Sequence, residues 1–154
     1  MRVLVVKLTS MGDVLHLMPA LTDLKQHHPD AIVDWMVEES FADIPGWHPG
    51  VARVIKVATR RWRKLNWRNI SEFVSFLKDL RSERYDVVID AQGLIKSAVL
   101  ARFAKLSRRG VRSGFSADSI KESPASRFYK QRIVVARQQH AIERLRKLFG
   151  GAFG

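Results

Sequence analysis

Three short segments carry the groups that could do chemistry. The first is Lys7-Leu8-Thr9-Ser10-Met11-Gly12-Asp13. It sets a carboxylate, Asp13, between a β-branched apolar run and the start of a helical pattern. A carboxylate held there can take a proton from a substrate hydroxyl. Gly12 permits close backbone approach, and the free amides that open a helix can donate to an anion or an oxygen. The plain alternative is that Asp13 only caps the helix, a role aspartate fills often. The segment carries neither G-x-G-x-x-G nor G-x-x-x-x-G-K-[ST]. It is therefore neither a dinucleotide fingerprint nor a P-loop.

The second segment runs from Asp90 to Ser97, DAQGLIKS. Gln92 and Gly93 would put a polar side chain and backbone amides at a strand end, with Lys96 in the first turn of the following helix. An ordinary strand-to-helix turn reads the same way. The third segment is Arg60-Arg61-Trp62-Arg63-Lys64. Guanidinium groups grip phosphate and carboxylate through paired donors. Trp62 and Trp67 could stack on a sugar or lie in a lipid headgroup layer. The same composition suits RNA, or a solvated loop. There is no D-x-D pair, no H-E-x-x-H, and no metal-ligand spacing among the five histidines. His140 opens the last helix and is a candidate polar group near a cleft.

Periodicity predicts the elements that must position these groups. Strands are expected at Arg2 to Leu8, Ala31 to Val37, Val51 to Val57, Tyr85 to Asp90, Val111 to Phe115 and Ile133 to Val135. Helices are expected at Val14 to His27, Ile70 to Arg81, Leu94 to Leu106 and His140 to Phe149, the last closed by Gly150. Pro19 falls inside the first helix, so a kink or a late start is expected there. Ile44 to Gly50 and Ser116 to Lys130 read as loops, and Lys121 lies in the second. The alternation predicts an α/β domain, a Rossmann-like parallel sheet with helices on both faces. Ligands of such sheets bind beyond the carboxyl ends of the strands, where all three segments fall.

Composition narrows the partners. The 154 residues hold 46% hydrophobic side chains, enough for one domain core. Twenty-seven Lys and Arg oppose fifteen Asp and Glu, a formal charge of +12. Nucleic acid, an anionic membrane surface or a phosphorylated substrate would each answer that charge. Between Asp43 and Glu72 stand seven cations and no acid. No apolar run reaches the roughly 20 residues of a spanning helix. MRVLVVKL is too short and too β-branched for a signal peptide. The lack of cysteine excludes disulfides and fits a cytoplasmic protein.

The chain resembles the ADP-heptose:lipopolysaccharide heptosyltransferases. The resemblance lies in MRVLVVKLTSMGDVLHLMPALTDL, VDWMVEESFADIPGWHPGVARVI, RRWRK, YDVVIDAQGLIKSA, KESPASRFY and QQHAIERLRKLF, in order from Met1 to about Phe149. The Ser-Met-Gly-Asp turn followed by Val14-Leu15-His16 favours the heptosyltransferase I branch over II. The resemblance implies the N-terminal half of a GT-B glycosyltransferase, residues 1–150 being the acceptor-binding domain. A C-terminal domain that binds ADP-heptose would lie beyond this chain, leaving the isolated half inactive. The implied reaction is inverting transfer of heptose onto 3-deoxy-octulosonate carried by lipid A. It implies no cofactor, no metal in the chemistry, and Asp13 as general base. Ser10, Met11, Gly12, Arg60, Arg61, Arg63, Lys64, Gln92, Gly93, Lys96 and Lys121 would bind the acceptor. The acceptor's lipid implies peripheral attachment to the cytoplasmic face of the inner membrane. A basic RNA-binding module and a non-catalytic acceptor-binding remnant are the alternatives. The chain lacks an RNP or KH signature, so no nucleic-acid partner is expected.

Overall fold

The computed structural model describes residues 1–154. Strand β1 (Arg2–Val6) is a β-branched stretch with both faces covered, as the inner strand of a parallel sheet must be. β2 (Ile32–Glu38) pairs on one side of it and β4 (Arg84–Asp90) on the other. β3 (Val51–Val57), β5 (Lys105–Phe115) and β6 (Gln131–Ile133) complete an all-parallel sheet of order β3-β2-β1-β4-β5-β6. Strand order therefore reverses between β1 and β4, and a crevice opens there at the carboxyl edge.

Alternation along β1 divides the core in two. Val3 and Val5 point into a cluster with Leu17, Leu21 and Leu148, under α2 (Met18–His27) and α5 (Ala141–Phe153). Leu4 and Val6 point the other way, to Phe76, Leu80 and Leu100 under α3 (Trp67–Leu80) and α4 (Ile95–Arg102). The expected Rossmann-like architecture is present, with helices on both faces.

Several element bounds differ from expectation. The first helix is two: α1 (Met11–Leu15) ends, and α2 restarts with Pro19 in its first turn. Proline fits there because that amide needs no partner, whereas mid-helix its ring would clash. The fourth helix stops at Arg102, and β5 starts at Lys105 instead of Val111. A register shift against Tyr85 to Val87 breaks the alternation of KLSRRGVRSGF, which hides the strand from its sequence. The last strand is Gln131–Ile133, earlier than Ile133 to Val135. The 116–130 segment holds a 3-10 turn at Ser123–Phe128, and buried Ile120, Ala125 and Tyr129 pin it down. Gly150 does not close α5, which runs on to Phe153. The next residue, Gly151, matters instead for space, since a Cβ there would come 2.6 Å from Ile133.

Candidate active site

The loop after β1 and the loop after β4 meet at the crevice, joined by one side chain. Gln92 Oε1 accepts from the amides of Leu8 at 3.1 Å and Thr9 at 3.4 Å. Its Nε2 donates to Thr9 Oγ1 at 3.2 Å. Gln92 also lines the cleft, so its amide both braces the wall and faces the ligand space.

Gln92 is itself held from beneath by Asp90, the fully buried last residue of β4. Asp90 Oδ1 accepts from the amides of Gln92 at 3.0 Å and Gly93 at 3.2 Å. Its Oδ2 accepts from Ser97 Oγ at 2.9 Å and from the Tyr129 hydroxyl. Burial pushes the Asp90 carboxyl above the usual carboxylate range, and these four donors oppose the rise. Burial beside that carboxylate likewise raises Tyr129. Two glycines make the arrangement possible. Gly93 has φ +75°, a region costly for side-chain-bearing residues. Gly114 lies flat under the Tyr129 ring, where a Cβ would overlap ring carbons.

Above this brace lies a cleft of about 170 Å³, whose wall includes Lys7, Asp13, His16, Gln92, Lys121 and Arg144. Asp13 occupies the third position of α1 and accepts from the Ser10 amide at 3.3 Å. Ser10, not Asp13, is the N-cap. The carboxylate is exposed and free to receive a proton from a ligand in the cleft. Gly12 borders open space, and a Cβ there would meet nothing within 4 Å. Packing within the chain therefore does not require the close approach expected of it.

Cations surround Asp13. Lys7 is almost wholly buried, its Nζ donating to the Ala91 carbonyl at 3.2 Å. Burial lowers its pKa below that of a free lysine, while Asp13 and Asp90 pull it back up. Arg144 lies 4.8 Å above the Phe115 ring and donates to the Ser119 carbonyl. Burial, then repulsion from Arg137, depresses it. Lys121 enters from the 116–130 loop. His16 makes an edge contact with His140 at 5.5 Å, which brings His140 to the cleft rim. Lys7, His16 and Arg144 were missed by the sequence reading. Lys7 looked like the end of a strand, and nothing local tells that Arg144 folds back over β5. The arrangement is an exposed carboxylate sharing a cleft wall with three cations, and it could take a proton from a hydroxyl on an anionic molecule.

The basic loop lies on the neighbouring stretch of the same edge, after β3. It does not line the Asp13 cleft. Arg63 and Lys64 join Lys96 along a second, larger groove of about 560 Å³. Lys96 Nζ lies 3.4 Å from Thr59 Oγ1. The loop is tied down, since Asn69 Nδ2 donates to the carbonyls of Arg61 and Lys64, both at 2.8 Å. The charge reading needs one correction. The absence of acids nearby in sequence does not leave the whole cluster unneutralised. Arg61 pairs with Glu39 at 2.8 Å and with Glu72, which the fold brings from either side. Those two carboxylates raise its pKa. Trp62 is not free to stack on a sugar. It packs on Phe73 and Phe76 with ring centroids 5.4 and 5.5 Å away, and its Nε1 donates to Glu72. Arg60, Arg63 and Lys64 remain exposed.

The sequence profile of glycosyltransferase family 9 (heptosyltransferase) matches residues 73–154. The chain belongs to this family. Lipopolysaccharide heptosyltransferase 1 of Pseudomonas aeruginosa is 52% identical over 154 residues, 99% of this chain and 42% of that protein. Its counterpart from Escherichia coli K12 is 51% identical, covering 100% of the chain and 48% of the relative. The structure of E. coli heptosyltransferase WaaC with ADP superposes with a TM-score of 0.95 at 50% identity, covering 100% of this chain and 48% of that one. E. coli heptosyltransferase II, at 20% identity and a TM-score of 0.72 over 97% of this chain and 40% of that one, shows a shared fold. The chain spans a little under half the length of these two curated heptosyltransferase 1 relatives.

Proposed function

We propose that this chain is the acceptor-binding half of a heptosyltransferase of the first type. In this reading it holds 3-deoxy-octulosonate on lipid A while a second domain presents ADP-heptose. The observation that carries it is the Asp13 carboxylate, exposed in a cleft lined by Lys7, Lys121 and Arg144. The 3-deoxy-octulosonate carboxylate would pair with those cations and turn one sugar hydroxyl toward Asp13. As that hydroxyl attacks the anomeric carbon, its proton passes to an Asp13 oxygen and the bond to ADP breaks on the opposite face. The configuration at that carbon inverts. The reading assigns no step to a metal ion or cofactor. Ser10, Met11 and Gly12 would border the reacting sugar, and Arg60, Arg63, Lys64 and Lys96 would meet anions farther along the acceptor. Such an enzyme would work at the cytoplasmic face of the inner membrane, bound peripherally. No helix of the chain is long and apolar enough to cross a membrane.

The test is a pair of titrations. Soluble, deacylated 3-deoxy-octulosonate-lipid A should bind the 154-residue chain saturably, whereas ADP-heptose should not bind it measurably. Mixing all three should release no ADP, because these 154 residues span under half the length of the relatives they match. Tight RNA binding with no acceptor binding would replace this reading with the nucleic-acid one. A full-length enzyme that binds acceptor but turns nothing over would leave only a binding remnant, and full turnover without Asp13 would remove that carboxylate from the chemistry.

A further inference from the structure

We propose that the face formed by the start of α3 and the outer side of α4 docks the chain onto an anionic lipid bilayer. The proposal deepens the acceptor reading and rests on it for why a membrane would be met at all. Leu65 and Trp67 are the two most exposed large apolar side chains of the molecule, at 89% and 87%. Ile70 and Val74 continue the stripe along α3 at helical spacing, Ile95 and Val99 are exposed on α4, and Ile70 and Val99 line the groove between the two helices. Between the two helices runs the groove of about 560 Å³, whose walls include Phe73, Leu100 and Phe103. Its charged side chains are Arg63, Lys64 and Lys96, and no acid lines it.

Charge complementarity and chemistry select the occupant. Leu65, Ile70, Val74 and Val99 offer no flat ring for a base to stack on, so a single-stranded nucleic acid would leave most of the stripe unused. A second copy of this chain, at +12, would bring like-charged rims together. An anionic bilayer answers both features. Its headgroups attract the cations, and its acyl boundary takes up leucine and tryptophan side chains. The placement also fits a lipid-borne substrate. Lys96, in the first turn of α4, lines the groove, and Gln92, in the loop just before α4, lines the Asp13 cleft, so both lie beyond the carboxyl end of β4. A chain docked by this face would keep the cleft beside the membrane surface.

Co-sedimentation with vesicles that carry no acceptor tests the surface alone. Mixed phosphatidylcholine–phosphatidylglycerol vesicles should bind the chain, and pure phosphatidylcholine vesicles should not. The paired substitution Leu65→Ser and Trp67→Ser should weaken binding on the order of tenfold. Arg63→Ala and Lys64→Ala should each weaken it about fivefold. Arg108→Ala with Arg109→Ala, which removes two charges from the exposed part of β5 where each groove variant removes one, should leave it unchanged. Circular dichroism confirms that each variant is folded. Three results would each overturn the proposal: no vesicle binding, equal loss from the β5 pair, or undiminished binding by the Leu65/Trp67 variant. A concentration-dependent dimer abolished by that variant would assign the face to a second copy instead. Failure of the acceptor reading is seen separately, in the soluble acceptor titration.

Discussion

Replacing Gln92 with leucine tests whether the crevice is built from the β4 side. The substitution keeps volume and removes the oxygen shared by the Leu8 and Thr9 amides, at 3.1 and 3.4 Å. Leu8 is fully buried, so water does not readily reach its orphaned amide. An unsatisfied buried donor costs about 1–3 kcal/mol. Thr9 is only half-buried, and water can replace its longer bond at little cost. The sum is about 2 kcal/mol, which for a domain of this size lowers the midpoint of thermal unfolding by roughly 4–8 °C. Scanning calorimetry of the 154-residue chain measures it. Gln92→Glu is the control, because its carboxylate still accepts from both amides and should restore most of the loss. Acceptor affinity should fall in Gln92→Leu and stay low in Gln92→Glu even as stability recovers, because the new carboxylate faces an anionic acceptor in the cleft. A Gln92→Leu chain that melts with the parent but binds acceptor poorly would refute the bracing role and leave Gln92 as a ligand contact alone.

Other substitutions separate roles within the site. Asp13→Ala in a complete enzyme should cut turnover by about two to four orders of magnitude. The melting temperature should barely move, since Asp13 is exposed and holds one 3.3 Å bond. Lys7→Met should raise stability at neutral pH while weakening acceptor binding. The folded chain gives up the Lys7 proton below 10.5, the unfolded chain at 10.5. As pH rises through that window the unfolded state holds more protons, and the parent gains stability on the variant. Paired melts at pH 7 and in the alkaline range check the sign. Arg60→Ala should lose about 1.5–3 kcal/mol of acceptor binding, less at high salt. Arg61→Ala should instead free the loop from Glu39 and Glu72, seen as faster proteolytic cleavage near Arg63.

The fold was legible because its strands announce themselves. RVLVV, IVDWMVE and YDVVID are short β-branched runs set between helical patterns, and the alternation forces parallel crossovers. β5 was half hidden because a bulge and a run of arginines replace the apolar alternation. α5 was cut short because glycine ends many helices, whereas here Gly151 serves contact with Ile133. Asp13 and Gln92 were legible from their place after buried strands. Lys7 and Arg144 were not, since their roles depend on long-range packing that no local spacing encodes. The acids that neutralise Arg61 were invisible for the same reason. Glu39 and Glu72 lie 22 and 11 residues away.

The break before Pro19 has a dynamic consequence. α1 is only five residues long, too short to share the cooperativity of a longer helix. Its inward anchor is Val14, with Leu17 at the junction to α2. Asp13 therefore belongs to a small unit that can open without α2 or β1 melting. The amide hydrogens of Val14 and His16, bonded to the Ser10 and Gly12 carbonyls, should exchange with solvent through that local opening, while those of β1 wait for the whole sheet. The Asp13 carboxylate can thus shift within the cleft while the sheet beneath it stays rigid.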